Sequence, residues 1–257
     1  MLAYSKFGTG IPLIFVHAFP LSKKMWETHQ TQFSRNFQVI LIDMPGFGES
    51  PLQLEEFSLK AIAKEILSTL NNLGIKEKAI FTGVSMGGYA LFELWRQAAE
   101  RFRAMVLTST RAFADTPEAR ERRFKTIELV MEKGSKVLAE KMLPNLLGKS
   151  TLEDKKDLVK QISDWVTSAN PQAIRAALLA MAERIDSTPT LKEISVPTLV
   201  VSGQEDMFIP TAEMKLMAEL ISKAQFSVIN KAGHLPNLEQ PLVFNDVFLH
   251  FLKRHVL

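Results

Sequence analysis

The sequence of 257 residues contains no cysteine. Disulfide bonds and thiolate metal sites are therefore excluded, since both need cysteine sulfur. Long apolar runs are also lacking, because no stretch approaches the roughly 18 uncharged apolar residues that cross a bilayer. The first residues do not have the basic segment and long apolar segment of a secretory signal. We therefore expect a soluble, cytoplasmic protein without a membrane span.

A large excess of charge of one sign is absent as well. The 31 basic residues are interleaved with 28 acidic ones, as in "TPEARERRFK" and "LEDKKD", and the formal net charge is +3. This pattern is typical of a solvated surface and does not favour nucleic-acid binding. Apolar residues, in contrast, make up 46% of the chain, which excludes a disordered protein and is enough for a substantial core. Nothing in the sequence indicates an oligomeric state.

Short apolar runs rich in Val, Ile and Phe recur along the chain and predict buried strands. Helical patterns lie between them; in residues 59–74 the apolar positions share one face, and Gly74 suits the helix end. Strands alternating with helices predict an α/β fold with a mainly parallel, doubly wound sheet flanked by helices. The predicted strands are residues 12–19, 37–44, 78–84, 104–110, 197–203 and 224–230.

This alternation stops between residues 112 and 186, where the pattern is helical and no strand is indicated. Thr116 followed by Pro117 is typical of a helix start. The sequence therefore predicts an α/β core made of residues 1–111 and 187–257, with residues 112–186 inserted as a helical unit.

Residues 83–87 match the pattern G-x-S-x-G between a predicted strand and a predicted helix. A sharp turn at this place would strain the backbone of Ser85 and project its hydroxyl from the carboxyl edge of the sheet, and the flanking glycines would relieve crowding. The alternative is a tight turn with a capping serine. The strand and helix on either side favour a nucleophilic serine.

A serine hydroxyl needs a base to remove its proton. His234 lies in the loop "KAGHLPNLEQP" after the last predicted strand, and that loop meets the same sheet edge as Ser85. We therefore expect His234 to be the base. The other histidines are assigned to different places: the surface or end of the last helix for His250 and His255, an exposed position for His29, and a hydrogen-bonded loop for His17.

The histidine in turn needs an acceptor on its other ring nitrogen. Asp206 follows the strand at 197–203 and meets this need, with Glu205 beside it as a competitor. Asp43 is a third candidate, which we interpret as a turn-stabilising carboxylate. The resulting order along the chain is nucleophile, acid, base.

The chain resembles the α/β-hydrolase fold family over nearly all its length. The motifs that carry the resemblance are "GTGIPLIFVHAFP", "DMPGFGES", "GVSMGG", "VPTLVVSGQED" and "AGHLPNLEQP". The resemblance implies the order Ser85, Asp206, His234 for the catalytic residues. Met86, directly after the serine, is expected to donate its backbone N–H to an oxyanion. The similarity to the family's H-G-x-P motif implies Phe19 as a second donor, although Ala18 stands in place of the family glycine.

The resemblance also implies that the helical insert is a cap over the active site. Apolar side chains of such a cap, Phe113 and Trp165 among them, and three side chains next to the catalytic loops, Trp26, Phe208 and Leu235, are candidates for a substrate pocket. Arg111 follows a strand at the catalytic edge and could bind a substrate carboxylate. The stretch "TSTRAFADTPEARERR" is similar to the cap opening of 3-oxoadipate enol-lactonases. The alternative is a hinge arginine paired with Asp115 or Glu118.

These residues predict a serine hydrolase that acts on small-molecule carboxylic esters or lactones through an acyl-enzyme. Alternatives of the same fold are an enol-lactonase-like enzyme for acidic lactones, a carbon–carbon bond hydrolase and a ligand receptor without turnover; the three catalytic residues together argue against the receptor. We expect neither a metal ion nor an organic cofactor, because the histidines do not show ligand spacing.

Overall fold

A computed structural model describes residues 1–52 and 55–257, and in these ranges seven strands form one sheet. The sheet has the order β1-β3-β2-β4-β5-β6-β7. Only β1 runs antiparallel to its neighbour β3, and every other pair is parallel, as predicted. The strands are β1 (Tyr4–Phe7), β2 (Ile11–Val16), β3 (Phe37–Ile42), β4 (Ala79–Val84), β5 (Phe102–Thr108), β6 (Thr198–Gly203) and β7 (Ala224–Ile229).

The α-helices lie between the strands and after the last one. In chain order they are α1 (Glu27–Phe33), α2 (Leu59–Asn72), α3 (Met86–Ala98), α4 (Pro117–Lys133), α5 (Lys136–Leu146), α6 (Lys149–Asp154), α7 (Lys156–Ser168), α8 (Pro171–Ala182), α9 (Thr188–Glu193), α10 (Thr211–Glu219), α11 (Pro236–Glu239) and α12 (Pro241–His255). In the described ranges, no helix is both long enough and apolar enough to cross a membrane.

The six predicted strands correspond to β2 through β7. The central strand β4 is buried along its whole length, since helices cover both faces of the sheet. The edge strand β1 was not predicted from the sequence. It has the sequence YSKF and is only partly buried, so it lacks the continuous apolar run by which the inner strands are recognised.

Helices α4 to α9 are inserted between β5 and β6, and no residue between 112 and 186 lies in a strand, as expected. Helix α4 starts as predicted: Thr116 Oγ1 accepts a hydrogen bond from the Ala119 N–H at 3.2 Å, with Pro117 in the first turn. The division of the chain into a core and a separate cap stays a prediction. We refer to α4 through α8, which lie within residues 112–186, as the helical insert.

Parallel pairing brings the carboxyl ends of β2, β4, β5, β6 and β7 to one edge of the sheet. The loops that follow these strands therefore leave from the same side of the molecule, which is where ligands bind in open α/β sheets. Each of the three predicted catalytic side chains lies on one of these loops.

His29 was expected to be exposed, and this expectation is wrong. The residue is fully buried in α1. Its Nδ1 donates to Asn245 Oδ1 at 2.6 Å, and the rings of Trp26 and Phe244 lie 5.5 Å from the imidazole. The polar neighbours in the sequence concealed this burial, since α1 packs its histidine against α12. Burial lowers the pKa of His29 to about 4.

The buried His29 predicts a loss of stability in weak acid. The ordinary pKa is 6.5 and the folded value is about 4, so the unfolded state binds more protons between these pH values. The free energy of unfolding should fall as the pH falls from 6.5 towards 4, by up to about 3 kcal/mol from this residue. Urea unfolding followed by circular dichroism at several pH values measures the slope of the free energy of unfolding against pH.

His29→Gln should make this slope shallower without removing it, because the pKa of the buried His17 is lowered too. The matched control is His250→Gln, since His250 is exposed. If His29→Gln and the wild type show the same slope, His29 does not carry the acid sensitivity.

Candidate active site

Ser85 lies in a strained turn between β4 and α3. Its φ is 53° and its ψ is −112°, a conformation that L-residues rarely adopt. Two contacts with the end of β5 and the residues after it hold the turn: the Ser85 N–H donates to Thr108 O at 2.9 Å, and Thr110 Oγ1 donates to Ser85 O at 2.8 Å. The backbone therefore directs this side chain away from the sheet.

The glycines around Ser85 are required by close backbone contacts. A Cβ on Gly83 would lie 2.6 Å from the backbone carbon of Gly87. A Cβ on Gly87 would lie 2.6 Å from the carbonyl oxygen of Val16. The start of α3 therefore packs directly on β4 and on the end of β2. A side chain at residue 83 or 87 would prevent this contact.

His234 and Asp206 form a buried hydrogen-bonded pair. His234 Nδ1 lies 2.9 Å from Asp206 Oδ2 and 3.1 Å from Oδ1. Asp206 Oδ1 also accepts from the backbone N–H groups of Phe208 and Ile209 at 2.9 and 3.0 Å. Burial alone would raise the pKa of Asp206, but the attraction to His234 and these hydrogen bonds outweigh it and lower the pKa. Asp206 is therefore an ionised acceptor that orients the imidazole.

The two competing carboxylates have other partners. Glu205 accepts from the backbone N–H of Ser150 at 2.9 Å and from its hydroxyl at 2.6 Å, so it contacts the helical insert instead of His234. Asp43 is fully buried and accepts from the Lys23 N–H at 2.7 Å, from Lys23 Nζ at 2.8 Å and from the Glu49 N–H at 2.9 Å. These contacts agree with the interpretation of Asp43 as a turn-stabilising carboxylate.

Sequence reasoning missed Glu239, which organises the loop that carries His234. Its buried carboxylate accepts from the backbone N–H groups of Gly233, Leu235 and Gly148 at 2.9, 3.0 and 2.8 Å. The first two residues flank the histidine, and Gly148 belongs to the helical insert. The signal was available, since a charged residue within the apolar, proline-rich stretch "LPNLEQP" needs hydrogen-bond partners if it is buried.

The backbone N–H groups of Phe19 and Met86, which were predicted as oxyanion donors, are not used by other hydrogen bonds among the described residues. Met86 is the first residue of α3, where the N–H has no acceptor within the helix. Phe19 follows β2, whose last residues contact Gly87 in the first turn of the same helix. Ala18 is fully buried, so its methyl group is accommodated within the fold.

His17 is a structural histidine, as expected. Its Nδ1 donates to Ala18 O at 2.9 Å, and its Nε2 accepts from the Met44 N–H at 2.9 Å. Both contacts require the neutral ring, and burial lowers the pKa of His17, which keeps it neutral. The ring therefore ties the segment that precedes Phe19 to the end of β3.

A cavity of about 450 Å³ opens beside these residues. Ser85, His234 and Phe19 line it, together with Arg111 and Phe208 from the predicted pocket. The Phe208 ring stands edge-on to the His234 imidazole with 5.2 Å between centroids. The insert adds apolar side chains, among them Leu138, Met142, Leu178 and Met181. The nucleophile and base candidates thus share one partly apolar space.

Four of the predicted pocket residues lie elsewhere. Trp26 is fully buried against Phe15, 4.8 Å between ring centroids, and belongs to the core, as does the fully buried Leu235. Phe113 is 41% exposed in the loop before α4. Trp165 lines a different cavity near Lys23. Each of these residues is close in sequence to a predicted catalytic residue or belongs to the predicted cap, but its side chain does not line the cavity beside Ser85.

Arg111 lines the cavity, but its guanidinium is already engaged. Its Nε lies 2.9 Å from Glu213 Oε1, and its Nη2 donates to Phe208 O at 2.7 Å. The expected partners Asp115 and Glu118 are not the ones it contacts. Burial raises the pKa of Glu213 despite the nearby Arg111. These contacts place Arg111 as a brace of the loop that carries Asp206.

In residues 1–52 and 55–257, no group of three or more histidine, aspartate or glutamate side chains is arranged to hold a metal ion.

The chain belongs to the alpha/beta hydrolase fold family, whose model matches residues 11–241. The matched part includes Ser85, Asp206 and His234.

Individual relatives cover nearly the full chain. A thermophilic esterase from Thermogutta terrifontis has 38% identity and a TM-score of 0.94, with 98% of this chain and 93% of that chain covered. The 3-oxoadipate enol-lactonase 2 of Acinetobacter baylyi is 28% identical over 98% of this chain and 93% of its own length. The pimeloyl-(acyl-carrier protein) methyl ester esterase of Aeromonas hydrophila is 26% identical, with 98% and 99% covered.

The contacts of Asp206 and Glu205 predict different effects of two isosteric substitutions. Asp206→Asn should lower kcat for an activated ester by at least about 100-fold, because the imidazole loses the acceptor that sets its tautomer. Glu205→Gln should have a smaller effect, since Glu205 binds Ser150. Steady-state kinetics with p-nitrophenyl butyrate makes the comparison, and a larger loss in Glu205→Gln would reassign the acid.

Proposed function

We propose that the protein is a serine hydrolase that cleaves carboxylic esters or lactones through an acyl-enzyme on Ser85. The observation that carries this proposal is the shared cavity: a serine in a strained turn and a histidine oriented by a buried aspartate line the same space. This is the arrangement that nucleophilic catalysis by serine requires.

The first half of the reaction begins with proton transfer. Asp206 occupies Nδ1 of His234, which leaves Nε2 as the nitrogen that accepts the Ser85 proton. Ser85 Oγ then bonds to the carbonyl carbon of the substrate, and the carbon–oxygen bond to the alcohol breaks. His234 gives its proton to the departing alcohol.

Charge develops on the carbonyl oxygen during this attack. The N–H groups of Phe19 and Met86 are suited to stabilise it, because they are free of other hydrogen bonds among the described residues. Fixed donors of this kind need no reorganisation during the reaction, and loss of one typically lowers turnover about 10²- to 10³-fold.

The second half of the reaction releases the acid. Water loses a proton to His234 and attacks the acyl carbon, after which Ser85 recovers its proton. The products are an alcohol and a carboxylic acid, or a single hydroxy acid if the substrate is a lactone.

The named relatives favour esters and lactones over other substrates of the fold. Two of them are esterases and one is an enol-lactonase. The Thermogutta terrifontis structure carries malate, a dicarboxylate. No observation favours a carbon–carbon bond hydrolase, and a receptor without turnover would not need the pair of His234 and Asp206 beside Ser85.

The helical insert acts as a cap in this proposal. Its support is the cavity lining, to which α4, α5 and α8 contribute side chains together with Ser85. Hydrophobic side chains such as Leu138 and Met142 would exclude water from the acyl group. Arg111 would keep the loop from Asp206 to Phe208 in place below them.

Ser85→Ala tests the proposal. The substitution should lower hydrolysis of p-nitrophenyl acetate and butyrate by at least about 10³-fold, because the attacking oxygen is removed. Thermal unfolding checks that the fold is kept. Ser168→Ala is a matched control, since Ser168 is exposed on α7 outside the cavity, and it should keep wild-type rates. Substantial turnover by Ser85→Ala would remove Ser85 from its role.

A further inference from the structure

The cavity next to Ser85 is lined by more positive than negative charge. Among the described residues of its lining, four are cations, and Asp115 is the one carboxylate. The four cations are Arg111, Arg122, Arg123 and Lys141. Two of them, Arg122 and Arg123, come from α4, and Lys141 comes from α5, which packs against α4.

Asp115 cannot balance this charge, because two arginines share it. Its carboxylate is 1% exposed and pairs with Arg123, and Arg184 Nη1 lies 2.7 Å from its Oδ1. Burial would raise the pKa of Asp115, but the two guanidinium groups outweigh burial and lower it. Asp115 therefore neutralises only one of the two positive charges of Arg123 and Arg184, and the group as a whole stays positive.

Arg111 contributes little to the excess of positive charge in the cavity lining. Glu213 neutralises it, and the carbonyl of Phe208 takes a further N–H group. Its role as a brace leaves it poorly suited to hold a substrate carboxylate.

Arg122 and Lys141 are exposed at the cavity, and in the described part of the chain neither side chain has an ion-pair or hydrogen-bond partner within bonding distance, although the charge of Glu118 acts on Arg122. Glu118 is one turn before Arg122 in α4 but does not line the cavity. The insert also lines the cavity with apolar side chains, including Leu138 and Met142. The cavity thus contains Ser85, apolar side chains and two cations without an ion-pair partner in the described ranges.

We propose that the substrate carries a free carboxylate, which Arg122 and Lys141 bind while Ser85 attacks the ester or lactone carbonyl at the other end. The substrate class is the monoester or lactone of a dicarboxylic acid, with its carbon chain along the apolar lining. This inference rests on the proposed function. The free carboxylate takes no part in bond changes: water still adds across the acyl–oxygen bond, which yields a dicarboxylate and an alcohol from a monoester, or a single hydroxy dicarboxylate from a lactone.

The test compares two substrates that differ only in charge. They are the monomethyl ester of a five- to seven-carbon dicarboxylic acid and the same methyl ester with a terminal amide in place of the carboxylate. The wild type should prefer the acidic ester by about 10-fold or more in kcat/KM, because a carboxylate forms charge-assisted hydrogen bonds that an amide does not. Added salt should raise KM for the acidic ester more than for the amide.

The double variant Arg122→Gln/Lys141→Gln should lose most of this preference. Lys125→Gln is the matched control: Lys125 also lies on α4, pairs with Glu121 and does not line the cavity. The control should keep the wild-type preference. A wild type that hydrolyses both esters equally well, or a double variant that keeps the preference, would overturn the inference.

A binding experiment separates this inference from the proposed function. Calorimetric titration of Ser85→Ala with glutarate or adipate does not depend on turnover. Binding that is weakened at least about 10-fold by the added double substitution supports the carboxylate site. If such binding is found while the wild type hydrolyses no ester, the reaction assignment fails and the site stands. If neutral esters are hydrolysed but no dicarboxylate binds, the site fails and the reaction assignment stands.

Discussion

The backbone turn at Ser85 constrains the whole catalytic edge of the molecule. Its positive φ is held by two hydrogen bonds, to the last residue of β5 and to Thr110 after it, and by helix α3, which packs directly against β4 and β2. Glycine at positions 83 and 87 is what allows this approach. The same approach brings the N–H of Met86 and the segment of Phe19 to one side of the sheet, so the strained turn at Ser85 and the proposed oxyanion donors depend on a single packing arrangement.

The helical insert is tied to the loops that carry His234 and Asp206. Three contacts make the connection: Leu146 O accepts from the His234 N–H at 3.0 Å, Glu239 accepts from Gly148, and Glu205 accepts from Ser150. The insert that lines the cavity and the loop that carries His234 are therefore connected by direct hydrogen bonds. In the proposed function, these contacts help to set the position of the imidazole.

Much of the fold could be predicted from the sequence, because the inner strands of a parallel sheet are buried on both faces and form continuous apolar runs. Once those strands are known, their carboxyl ends meet, and the positions of Ser85, Asp206 and His234 at one edge follow. Side-chain direction within loops and helices was less accessible. His29 is in the core because α1 packs against α12, and Trp26, just before α1, packs on Phe15 and Phe244; these contacts join residues far apart in the chain.

The partners of charged side chains were equally hard to predict. Arg111 has a carboxylate four residues later, yet its ion-pair partner is Glu213 in α10, which β6 brings alongside. Glu239 satisfies backbone N–H groups of two loops, and no local pattern identifies those loops as neighbours. Such contacts follow from the packing of the insert on the sheet, which periodicity along one element does not describe.

Mass spectrometry of the protein after rapid mixing with p-nitrophenyl butyrate and acid quenching shows whether Ser85 carries the acyl group. We expect a butyryl adduct on the peptide that contains Ser85, with much less adduct in His234→Ala. An adduct on another residue, or equal labelling of Ser85 without His234, would exclude Ser85 and His234 as nucleophile and base.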